Sequence, residues 1–76
     1  MTRKVRMLTN ESAVHGQIEE LKRILGRPVL IEVSLNVKDC PSNIEFEADD
    51  TEIENILKEL KFNLMVRQGG HWLTRM

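Results

Sequence analysis

The stretch Val29-Leu30-Ile31-Glu32-Val33-Ser34-Leu35-Asn36-Val37, followed after a short break by Ile44-Glu45-Phe46-Glu47-Ala48, decides the fold. Val29, Ile31, Val33, Leu35 and Val37 fall on one side of an extended chain. Leu30, Glu32, Ser34 and Asn36 fall on the other. Period two over this run predicts a half-buried strand. Lys38-Asp39-Cys40-Pro41-Ser42-Asn43 is turn chemistry. Pairing Val37 with Ile44 sets Leu35 opposite Phe46 and Val33 opposite Ala48. That register gathers the alternating apolar side chains on one face. The other face then shows Glu32, Ser34, Asn36, Glu45 and Glu47.

Working outward from this hairpin, two helices are expected. Before it, Thr9 or Asn10 supplies an N-cap oxygen for the free amides of a first turn. Val14, Ile18, Leu21 and Leu25 then form one helical stripe with Ile24 beside it. Glu19 and Arg23 are spaced for an ion pair, and Gly26 with Pro28 stops the helix. Gly16 weakens it and suggests a close backbone approach. After the hairpin, Asp49 with Glu52, or Thr51 with Glu54, matches a capping box. Ile53, Ile56, Leu57 and Leu60 form the second stripe, with Lys58 and Lys61 at its far end and Asn63 closing it. Arg3 to Leu8 alternates and reads as a short strand or a loose basic arm.

Phe62–Arg67 and His71–Arg75 read as two strands around Gln68-Gly69-Gly70. A two-residue turn pairs Val66 with Leu73. A three-residue turn pairs Val66 with Trp72 and gathers Phe62, Leu64, Val66, Trp72 and Met76 on one face, and is the register expected here. The whole order is β-α-β-β-α-β with a further strand. It predicts an α+β two-layer sandwich of ferredoxin-like order: an antiparallel sheet with two helices on one face.

The chain has 76 residues, one domain's worth, with 11 basic and 12 acidic groups. One cysteine, Cys40, excludes a disulfide scaffold. Such a small core points to oligomerisation as an added source of burial. No apolar run approaches the roughly 20 residues of a membrane span. Arg3, Lys4 and Arg6 precede Thr9, Asn10 and Glu11 with no apolar stretch between, so no secretory leader is read and a cytoplasmic setting is expected. Residues 1–38, 39–60 and 61–76 carry net charges of +3, −7 and +3. Such blocks can build faces of opposite sign.

The residue types of catalysis are present but not in catalytic patterns. A reactive thiol needs nearby cations or a helix N-terminus, and Cys40 has only Lys38 near in sequence, opposed by Asp39. His15, His71 and Cys40 match no metal-ligand spacing. Glu32, Glu45 and Glu47 share an open sheet face, which does not give them the burial that catalytic carboxylates usually need. Gly69-Gly70 opens no helix and so makes no phosphate loop. No catalytic residue, metal ligand or cofactor is expected, and the chain reads as non-enzymatic.

Two resemblances follow from the element order. RNA-recognition modules share it and stack bases on sheet aromatics. Here Phe46 has core parity and the open face carries three glutamates. The chain also resembles ACT-type regulatory modules in length and element order, which implies ligand sensing and dimerisation. No glycine-centred ligand loop follows Leu8, and no residue role is carried over.

The reading is therefore a small interaction or regulatory domain that forms a homodimer or binds a protein partner through the edge of its C-terminal hairpin. Trp72, Leu73, Met76 and Arg67 are the candidate contact residues, because the last strand has apolar side chains on both faces. The alternative is nucleic-acid binding through Arg3, Lys4, Arg6, Arg67 and Arg75. A membrane role is not expected.

Overall fold

The computed structural model describes residues 2–39, 41–60 and 64–75. Its elements are β1 (Thr2–Leu8), α1 (Val14–Leu25), β2 (Glu32–Ser34), β3 (Asn43–Asp49), α2 (Asp50–Leu60), β4 (Leu64–Gln68) and β5 (His71–Arg75). The five strands form one antiparallel sheet in the order β2-β3-β1-β4-β5. The order is not strictly ferredoxin-like, because β5 lies outside β4. Among the described residues, no helix is long and apolar enough to cross a membrane.

Arg3–Leu8 is a strand rather than a loose arm, and it runs through the middle of the sheet. Val5 lies between Phe46 of β3 and Val66 of β4, and Met7 pairs with Ile44. These side chains, with Ala48 and Leu64, are buried against Val14 and Leu21 of α1 and Ile53 and Ile56 of α2. Both helices thus cover one face of the sheet. Burying a side chain of this kind stabilises by about 1.5–3 kcal/mol. Ile18, Ile24, Leu25, Leu57 and Leu60 complete the stripes as partly buried residues.

Helix ends follow local chemistry. Asp49 and Glu52 form the reciprocal capping box. The Glu52 amide donates to Asp49 Oδ1 (2.8 Å) and the Asp49 amide to Glu52 Oε1 (3.0 Å). Gly26 takes a left-handed conformation (φ 63°) and its amide donates to the Lys22 carbonyl, ending α1. Asn10 Oδ1 accepts from the Ala13 amide (2.9 Å), capping a turn that leads into α1. The helix itself begins at Val14.

Several expectations are corrected. Arg23 pairs with Glu20, three residues back, and with Glu59 of α2, not with Glu19. A Cβ at Gly16 would meet open space, so no backbone approaches it. The strand expected over Val29–Val37 keeps only Glu32–Ser34, and Val33 rather than Val37 faces Ile44. The slip is four residues, an even number, so the facing of each side chain is unchanged. Two contacts cut the strand short. At one end Asn36 turns to positive φ (57°), and its amide donates to Ser42 Oγ (3.1 Å). At the other, Arg27 Nη2 donates to the Glu47 carbonyl (3.0 Å). In the observed register a longer ladder would offer that acceptor to Leu30. Phe62, Asn63, Lys61, Cys40 and Met76 lie outside the described residues, as do the expectations placed on them.

Candidate functional site

The C-terminal hairpin turns on two residues, not three. Gly69 and Gly70 both have positive φ (59° and 86°), the backbone of a type I′ turn. Val66 therefore pairs with Leu73 and Arg67 with Trp72. This corrects the register expected from the gathering of apolar residues. Trp72 leaves the core face and stands on the open face of the sheet. Leu73 turns toward the helix side, where it is 46% exposed. The two-residue turn wins because its twist matches the flanking strands, and the Gly-Gly pair supplies both left-handed residues without strain.

On the open face Trp72 is held by cations. The Arg6 guanidinium carbon lies 4.3 Å from the ring centroid and that of Arg67 6.0 Å. Such contacts are worth about 0.5–1 kcal/mol at exposed sites. Arg6 also donates to Glu45 across β1 and β3 (3.1 Å). Its Nε is buried without a hydrogen-bond partner among the described residues. The pairings β1–β3, β1–β4 and β2–β3 fix the charge map of this face. Glu32, Glu45 and Glu47 occupy the half toward β2. Lys4 and Arg6 stand on the central strand, Arg6 paired with Glu45, and Arg67 lies toward β5.

The five basic residues named for nucleic acid do not share a surface. Lys4, Arg6 and Arg67 lie on the open face. Arg3 and Arg75 have the opposite parity and bind α2 carboxylates, Asp50 (3.1 Å) and Glu54 (3.1 Å). His15 on α1 and His71 at the start of β5 are both exposed.

β5 is the last strand of the sheet order, so among the described residues one of its sides faces no other strand. In a two-residue hairpin the pair flanking the turn is hydrogen-bonded, and such pairs then alternate. His71, Leu73 and Arg75 therefore aim their backbone groups at β4. Trp72 and Thr74 aim theirs outward. The opposite edge, β2, is three residues long and flanked by irregular chain.

A second locus lies beside that opposite edge, and sequence reading missed it. Arg27 donates from Nε and Nη2 to both carboxylate oxygens of Glu52 (2.7 and 2.9 Å). The hydrogen bond from Arg27 holds the Glu52 carboxyl below its ordinary range, against the opposing effect of partial burial, and the Asp49 amide adds to the lowering. The Arg27 guanidinium is raised in turn. A cleft of about 350 Å³ lies between Pro28–Leu30 and β3, with Lys4, Glu32 and Glu47 on its walls. Its charges are mixed and Arg27 is already committed, so it is best explained by the shortness of β2. The only signal for Arg27 was a basic residue between a helix stop and a proline.

Comparison with protein-family models, with curated proteins and with solved structures gives no match. The reading of this surface rests on its own geometry.

Proposed function

We propose that the chain is a non-enzymatic interaction domain that works by accepting an extended strand along β5. The observation that carries this reading is the outward-facing backbone of Trp72 and Thr74 on the terminal strand of the sheet. Unpaired strand groups are a template for another strand. In this reading the β2-β3-β1-β4 portion is a ferredoxin-like core and β5 is the added working edge. Leu73, exposed beside that edge, gives a partner something apolar to cover. A second copy is one source of such a strand, and a homodimer is then the alternative use of this edge. Nucleic-acid binding is the weaker reading, because three glutamates share the open face with Lys4, Arg6 and Arg67.

Amide hydrogen exchange tests the proposal. In the isolated chain the Leu73 and Arg75 amides, paired to β4, exchange slowly, and those of Trp72 and Thr74 exchange fast. If two copies pair here, protection of Trp72 and Thr74 grows with protein concentration, and Trp72→Ala weakens it. Slow exchange at Trp72 and Thr74 at every dilution in a monomer means the edge is closed and ends the proposal.

A further inference from the structure

Resting on the β5 reading, we infer that the strand this edge accepts is a foreign, acidic one: an extended segment that alternates carboxylate and apolar side chains and pairs antiparallel to β5. The alternation comes from the geometry of the edge. Residues opposite Trp72 and Thr74 face the open side of the sheet, and the residue between them faces Leu73 on the helix side. The open side is cationic there. Arg67 has no carboxylate partner among the described residues and leans over Trp72, 6.0 Å from the ring centroid. A carboxylate opposite Trp72 stands about two strand spacings, roughly 10 Å, from the Arg67 backbone. Two long side chains leaning toward each other span that gap. Arg6, 4.3 Å from the same ring, is already paired with Glu45, so Arg67 carries the complementary charge.

The acids of the face are gathered at its other half, and Arg67 is the charged side chain of this face nearest β5. On the helix side an apolar residue covers Leu73. Arg75 and Lys58 line a cleft with Glu54, Asn55 and Leu57, and Arg75 is paired there with Glu54. Charge also weighs against a second copy as the occupant. Antiparallel pairing of β5 with itself about Leu73 places His71 opposite Arg75 of the other copy and sets the Arg67 side of one face beside that of the other. A strand bearing glutamates meets complementary charge instead.

The probes are three acetylated eight-residue peptides in which valine alternates with glutamate, threonine or lysine. Each is titrated calorimetrically into the intact protein and into Arg67→Glu and Thr74→Pro variants, at low and high salt. Proline at Thr74 removes an outward N–H and leaves the β4–β5 ladder intact, as an edge strand tolerates. The glutamate peptide is expected to bind about fivefold more tightly than the threonine peptide, the effect of one or two exposed ion pairs. The lysine peptide binds weakest, high salt erases the preference, and Arg67→Glu reverses it. Thr74→Pro abolishes binding of all three. Equal binding of the three peptides, lost in Thr74→Pro, overturns the acidic partner and leaves the β5 reading standing. Binding indifferent to Thr74→Pro in a variant with native amide spectra, or no binding at all, overturns both. A dimer at titration concentrations that Thr74→Pro dissociates assigns the edge to a second copy and overturns this inference alone.

Discussion

Glu52 accepts three hydrogen bonds: two from Arg27 and one from the Asp49 amide. Its own amide closes the capping box on Asp49. The carboxyl pKa is depressed in the folded chain, first by the Arg27 hydrogen bond. A depressed folded pKa means that the carboxylate stabilises the fold above its unfolded value, and that this stability is lost as pH falls through the folded value. Glu52→Gln keeps an acceptor for the cap and removes the charge. It is expected to lower the thermal midpoint by a few degrees at neutral pH, with the gap closing in acid. A gap that persists at low pH would assign the loss to packing instead. Half of this node was legible in the sequence. Asp49 and Glu52 stand at capping-box spacing, a local relation. Arg27 lies 25 residues from Glu52, and only the folded chain brings them together.

At the scale of elements, parity was easier to read than register. Alternation assigned Val33, Ile44, Phe46 and Ala48 to one face, and they do share it, although Val33 stays exposed near the sheet edge. The partner of Ile44 depended on where β2 stops, which Asn36 and Arg27 decide through contacts outside the strand. In the C-terminal hairpin the pull toward gathering apolar residues favoured the wrong turn length. The glycine pair set the turn, and Trp72 moved to the open face. The surface now proposed to function was therefore hidden in the sequence, even though Trp72, Leu73 and Arg67 were all singled out. Gly70→Val tests the turn: a β-branched residue at φ 86° should cost about 1–2 kcal/mol in urea unfolding. Gly69→Asn, at φ 59°, should be nearly neutral, since asparagine tolerates the left-handed region.

For the whole molecule, a chain of 76 residues is expected to have a stability of about 4–11 kcal/mol. Ile56 is fully buried between α2 and the sheet. Truncating such a side chain to alanine costs about 2–5 kcal/mol. Ile56→Ala should therefore leave a large unfolded fraction in mild urea, whereas Ile56→Val should shift the midpoint only slightly. The sheet order has a further consequence for synthesis on the ribosome. β1 is made before β3 and β4, between which it sits, and Val5 meets Val66 only after 61 further residues. At about 5–20 residues per second, that wait is on the order of 3–12 s. Val5 and Met7 lack both neighbouring strands until β3 is made, with Phe46 coming 41 residues after Val5, and Val5 lacks Val66 for the rest of the wait. Arg3 and Lys4 flank this short apolar segment and Arg6 interrupts it, the placement in which charges discourage misplaced strand pairing. The charges of the central strand thus have a task during translation, before any partner is met.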